Sequence, residues 1–185
     1  MNLDLKKPIE SLIQGLAYWI AYTLENNTIR FTEAEAVGEM AKILQTKIPF
    51  PFKVCREVAY NTVCPSIKSK QRADLGIFIE EKCKCLIEVK LNENTNGGYK
   101  KDICKLTKIK QIDNDIDCYV ILLYRNFCSI DEPKNFVSTD GKALKRTIYD
   151  TIDNIKCKLR VRRVANALCS PTARKMKRVV WFEIL

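Results

Sequence analysis

Asp74, Glu88 and Lys90 are charged residues set inside apolar segments. The stretch from 72 to 90 reads RADLGIFIEEKCKCLIEVK, and most of it is material for buried strands. Folded as a hairpin that turns at Glu80-Glu81-Lys82, it brings Asp74 opposite Glu88. Strand period two then puts Lys90 on the face of Glu88. Leu75, Ile77, Ile79, Cys85, Ile87 and Val89 make a hydrophobic face on the other side. Two carboxylates held this close repel each other. A divalent cation relieves the repulsion, and hard oxygen ligands suit magnesium or manganese. With Lys90 beside it to orient or deprotonate water, the set suits attack on a phosphodiester. A Glu-x-Lys on a strand also occurs as a plain cross-strand salt bridge. The Asp at a hairpin-matched distance, Gly76 and the basic chain favour the metal site.

Several elements must position these groups. Ile9, Leu12, Ile13, Leu16, Trp19 and Ile20 recur at helical spacing and predict a helix over 8–25, with Pro8 in its first turn. Thr32-Glu33-Ala34-Glu35 fits a capping box that opens a second helix, ended before Pro49 and Pro51. Strands are predicted over 52–60, 73–80 and 84–91. After the loop NENTNGG comes a helix with Tyr99, Ile103, Leu106 and Ile109 on one side. Residues 119–124, YVILLY, read as a central strand covered on both faces. A fourth helix is predicted over 142–158, with Leu144, Ile148, Ile152 and Ile155 in phase. Two strands, 159–168 and 179–185, close the chain around a turn at Ser170-Pro171. The order predicts an α/β domain, a three-layer αβα arrangement with a central mixed sheet. Residues 1–30 are expected to form a helix packed on the core or on a partner, and 31–185 the main domain.

Ala73-Asp74 followed by Glu88-Val89-Lys90 resembles the signature of the PD-(D/E)XK nuclease superfamily, whose fold is restriction-endonuclease-like. Ala73 stands where the signature's name has Pro. KQRADLGIF, LIEVKL and KKDICKLTKIK resemble the corresponding strand, strand and helix, and residues 32–125 follow the family's element order. The resemblance implies a Mg²⁺-dependent deoxyribonuclease, with Asp74 and Glu88 as metal ligands, the Val89 carbonyl as a further ligand, and Lys90 positioning or activating water. It also implies a helix glutamate near the metal. Glu33, Glu35 and Glu39 compete. Glu33 is the one expected, because it shares the inward stripe with Ala36, Val37 and Met40, while Glu35 is used by the capping box and Glu39 lies off the centre of the stripe. Glu57 is a further candidate. Lys105 lies where the family often places a basic or polar residue facing the site.

The chain's 185 residues support one domain, and its net charge of +10 suggests a polyanionic partner. Nine basic residues fall between Lys156 and Arg178, and no acid lies between Asp153 and Glu183. Arg160, Arg162, Arg163, Arg174, Lys175, Lys177 and Arg178 are the expected phosphate contacts there. Lys68, Lys70 and Arg72 are expected to hold the strand that is cut. The same basic run could instead be a solvated edge that discourages strand pairing. The partner is expected to be DNA, with RNA as an alternative, and cutting both strands would call for a homodimer or two visits.

Histidine is absent, which removes His-based triads and His-ligated metals. Nine cysteines without a signal-peptide plan suggest a cytoplasmic protein with reduced thiols. Cys83-Lys84-Cys85 lacks zinc-knuckle spacing, so the cysteines read as small buried hydrophobes. No apolar run is long enough to span a membrane, and no organic cofactor is implied. Two readings follow: a metal-dependent endonuclease of restriction, defence or repair type, or a catalytically silent, nucleic-acid-binding subunit of a larger complex.

Overall fold

The computed structural model describes residues 5–26, 31–68, 70–91, 98–127, 147–168 and 176–185. Helix α1 (Lys6–Asn26) is followed by α2 (Glu33–Lys47), strand β1 (Phe52–Ala59), a single helical turn α3 (Tyr60–Val63), β2 (Arg72–Ile79) and β3 (Lys82–Leu91). Then come α4 (Gly98–Ile112), β4 (Asp117–Phe127), β5 (Thr147–Ile152), β6 (Ile155–Leu168) and β7 (Met176–Ile184). The strands form one seven-stranded sheet in the order β1-β2-β3-β4-β7-β6-β5. Only the β3–β4 pair is parallel among the described strands, and α4 makes the crossover between them. This is a mixed α/β sheet with helices on both faces, a three-layer arrangement.

Side-chain alternation divides the core in two. Leu75, Ile77, Cys85, Ile87, Val89, Tyr119, Ile121 and Trp181 pack under α1 and α2. Leu86, Cys118, Val120, Leu122, Val180 and Phe182 pack under α4. The predicted apolar face of the β2–β3 hairpin is thus the face against α1 and α2. Helix α1 buries Ile9, Leu12, Ile13, Leu16 and Ile20 completely and lies on β6 and β7. At its start, α2 has the capping box the sequence predicts: the Thr32 hydroxyl accepts from the Glu35 amide at 3.2 Å, and the Glu35 carboxylate accepts in return from the Thr32 amide.

The hairpin register follows the sequence. Leu75 faces Ile87 and Gly76 faces Leu86, so Asp74 and Glu88 are the next positions outward. A bulge between Ile77 and Phe78 shifts the register near the turn, where Glu80 has a left-handed φ of 54°. Gly76 is required by crowding: a Cβ there would meet the Phe78 ring at 2.8 Å and Val58 at 2.9 Å.

The helix predicted over 142–158 is a correction. Residues 142–146 lie outside the described residues, and from Thr147 the chain is a β-hairpin, β5 with β6. Asp153 and Asn154 have φ of 50° and 64°, the two left-handed residues of a primed hairpin turn. Ile148 and Ile152 sit four apart, which suits one face of a helix and equally one face of a strand. Thr147, Thr151 and the flanking isoleucines tip the balance, because β-branched side chains prefer the strand. The predicted turn at Ser170-Pro171 also lies outside the described residues.

Candidate functional site

The C-terminal half of β3 and the start of β2 bring the expected charges together. Asp74 accepts a hydrogen bond through Oδ2 from the backbone N–H of Val89 at 2.7 Å, and its carboxyl is also hydrogen-bonded to that of Glu88. Glu88 is buried, and its Oε1 accepts from the hydroxyl of Tyr60. Further along β3, Lys90 Nζ lies 3.1 Å from Oε1 of Glu33, while the amide of Leu91 donates to Oε2 of the same glutamate at 2.9 Å. Glu33 is therefore fixed by two successive residues of β3. Of the three competing helix glutamates it is the one that meets the cluster, since Glu35 closes the capping box and Glu39 lies 3.5 Å from Lys42.

Helix α4 contributes Asp102 and Lys105. Asp102 is buried; its Oδ1 accepts from Lys105 Nζ at 2.7 Å, and its Oδ2 lies 3.7 Å from Lys90 Nζ with no hydrogen-bond donor among the described residues. Lys90 thus spans from Glu33 on one helical layer to Asp102 on the other.

Neither Tyr60 nor Asp102 is among the site residues expected from the sequence. Asp102 had a readable signal: it is an acid within the apolar stripe of α4, beside Ile103 and one turn before Leu106. Tyr60 had none, because it meets Glu88 only once β1, β2 and β3 are laid side by side.

The charges do not balance locally. Glu33, Asp74, Glu88 and Asp102 are four acids around two cations, Lys90 and Lys105. Burial pushes Glu88 up to about 8, helped by the charges of Asp102 and Asp74 and opposed by the Tyr60 hydrogen bond and Lys105. Burial also raises Asp74, and its hydrogen bonds to Val89 and Glu88 offset this only in part. At neutral pH the pair holds a proton, and that proton offsets part of the acid excess. For Lys90, burial favours the neutral amine, but the hydrogen bond and charge of Glu33, then Asp102 and Asp74, outweigh it and raise the ammonium above the ordinary lysine value. Lys90 is a fixed cation here.

The donor chemistry suits a cation. The buried Glu88 and the half-buried Asp74, both raised above the ordinary carboxyl value, are hard oxygen donors of the kind a divalent ion would take. Among the described residues, no three acid, thiol or imidazole groups lie close enough together to hold a metal ion on their own. A cation here would rest on Asp74 and Glu88, with backbone carbonyl and water oxygens filling its remaining positions.

The expected nucleic-acid contacts divide into several groups. Lys68, Lys70 and Arg72 are exposed on the approach to Asp74. Lys105 is paired with Asp102 inside the cluster. Arg160 and Arg162 both reach Glu183, at 3.8 Å and in close contact respectively, and Arg163 lies 3.0 Å from Glu10. Arg178 is fully buried with Asn166 at 2.7 Å, and Lys177 is buried too. These last two are a correction, because a buried side chain does not meet a phosphate from solvent. Arg174 and Lys175 lie outside the described residues. Glu57 is exposed at a left-handed φ of 52°, where it interrupts the β1–β2 ladder between Arg56 and Val58.

Every described cysteine is a free thiol, and Cys64, Cys83, Cys85, Cys104, Cys118 and Cys157 are buried. Burial pushes Cys83 up to about 12 and Cys104 up to about 11, which keeps both as unreactive thiols at neutral pH. Among the described residues, no helix is long and apolar enough to cross a membrane.

No protein-family model matches the chain, and no curated protein or solved structure matches it.

Proposed function

We propose that this chain is a metal-dependent endonuclease that hydrolyses phosphodiester bonds in DNA, with a restriction-endonuclease-like fold of the PD-(D/E)XK type. One observation carries the reading. A protein of net charge +10 gathers Glu33, Asp74, Glu88 and Asp102 around Lys90 and Lys105, so that acids outnumber cations by two and the Asp74–Glu88 pair keeps a proton that a metal ion would displace. A structural salt bridge has no use for such an excess, whereas a divalent cation matches it in sign and size.

In this reading Asp74 and Glu88 hold Mg²⁺ or Mn²⁺, with the Val89 carbonyl as a further ligand. Once bound, the ion supplies Lewis-acid polarisation of the phosphodiester and activation of water. Val89 fixes Asp74 through its amide, and Tyr60 fixes Glu88 through its hydroxyl. Lys90, kept as an ammonium, orients the attacking water and offers positive charge to the phosphate oxygens. Glu33 positions Lys90. Lys68, Lys70 and Arg72 lie on the stretch leading to Asp74 and guide the polyanion to it.

The test is cleavage of plasmid and single-stranded DNA with Mg²⁺, Mn²⁺ or EDTA, comparing wild type with Lys90→Ala and Asp74→Ala. Metal-dependent cutting that both variants lose supports the nuclease. An alternative rests on how fully the acids are already partnered, Glu88 by Tyr60 and Glu33 by Leu91: a catalytically silent, nucleic-acid-binding subunit. Absence of cutting with every metal, with salt-sensitive DNA binding retained, would favour that alternative.

A further inference from the structure

The β5–β6 hairpin at the far edge of the sheet has two unlike faces. Ile148, Ile152 and Cys157 turn into the core beneath α4. The opposite face is formed by cross-strand pairs, Thr147 with Arg160, Tyr149 with Lys158, and Thr151 with Lys156. No acid stands at these six positions. Tyr149 is 74% exposed, and Lys158 Nζ lies 5.7 Å from the centre of its ring. Lys156 and Lys158 are exposed and make no ion pair with a described residue, while Arg160 is only loosely held by Glu183 at 3.8 Å.

Alternate residues on a strand stand about 6.7 Å apart. Lys156, Lys158 and Arg160 therefore form a straight row of cations with a repeat that suits the successive phosphates of an extended strand. Cations alone would suit a duplex equally well. The exposed ring of Tyr149 decides between them, because base faces are free to stack on an aromatic side chain only when the strand is unpaired. An anionic lipid surface is a poorer fit, since Tyr149 is the only large apolar group among these six positions. We propose that this face of the β5–β6 hairpin binds single-stranded nucleic acid, with the three cations on the backbone and Tyr149 under a base. The surface is distinct from the acid cluster on β2 and β3, and the inference does not rest on metal binding there.

The experiment is fluorescence anisotropy of the full chain in EDTA, with a labelled oligothymidylate and a duplex of equal length. The wild type is expected to bind the single strand more tightly. Tyr149→Ala should weaken that binding by about tenfold, within the range for one stacked base, while Tyr149→Phe should keep it. The double variant Lys156→Gln/Lys158→Gln should reduce the salt slope by about 1.4, at about 0.7 for each phosphate no longer neutralised. All three variants carry surface changes, and their melting temperatures should match the wild type. Binding unchanged in Tyr149→Ala and in the double variant would overturn the proposal. So would a duplex bound as tightly as the single strand, or displacement of the oligonucleotide by anionic phospholipid vesicles. Loss of metal-dependent cleavage with this binding intact would count against the nuclease alone.

Discussion

The hydroxyl of Tyr60 donates to Oε1 of Glu88, a residue 28 positions later in the chain. The contact ties the one-turn helix after β1 to the centre of the acid cluster, and it fixes one of the two oxygens of Glu88.

Removing that hydroxyl should therefore be felt in two ways. Tyr60→Phe leaves a buried carboxyl oxygen without its donor, at a cost of about 1–3 kcal/mol. It also frees the Glu88 carboxyl to rotate, and loss of such a supporting contact typically weakens metal binding by roughly 10-fold to 100-fold. Urea denaturation in EDTA and Mn²⁺ titration followed by electron paramagnetic resonance measure the two effects separately. Mn²⁺ affinity equal to wild type would show that Tyr60 supports the fold and not a metal site.

The raised Glu88 makes stability depend on pH in a direction unusual for a carboxylate. Its folded value of about 8 lies above the ordinary 4.5, so the folded chain holds a proton that the unfolded chain releases. The contribution is complete below 4.5 and is lost as pH rises through about 8. Across that window the metal-free protein should lose up to about 1.4 kcal/mol per pH unit from this group. Asp74, also raised, acts in the same sense. Urea midpoints in EDTA between about pH 5 and pH 8 should fall in wild type, and Glu88→Gln should flatten the trend.

Asp102 raises Glu88 by its charge and helps to keep Lys90 an ammonium. Asp102→Asn should therefore bring the Glu88 titration down towards the ordinary carboxyl value and lower that of Lys90. Carbon-13 NMR titration of the Glu88 carboxyl reads the first change directly. An unmoved Glu88 would mean that burial alone sets its value.

Gly76 lies between Phe78 and Val58, with no room for a methyl group. Gly76→Ala should destabilise the fold by about 1–3 kcal/mol through overpacking. The same crowding is two residues from Asp74, so if the proposed metal site is there, its affinity should fall along with the melting temperature. Differential scanning calorimetry with and without Mn²⁺ follows both quantities.

The parts of the site carried by short-range rules were legible. A tight turn fixes the register that sets Asp74 against Glu88, and period two then assigns Lys90 to their side. The Thr32–Glu35 box marks where α2 begins, and so which glutamate is left to face β3. Local pattern misleads where it serves two structures, as with Ile148 and Ile152, and where charge is counted along the chain instead of across the sheet. Arg160 and Arg162 look unopposed in sequence, yet the β6–β7 ladder pairs Arg160 with Glu183. Asp102 shows locally only as an acid in the apolar stripe of α4, and Tyr60 depends wholly on long-range packing for its meaning.

Lys90 touches acids from both helical layers, Glu33 on α2 and Asp102 on α4. The two acids share a counter-charge, so they act as one thermodynamic unit although they belong to opposite faces of the sheet. Substituting either leaves the other to hold the lysine by itself. The free-energy effects of changing both should not be the sum of changing each, and a double-mutant cycle between these two helices would report the sharing as a coupling term.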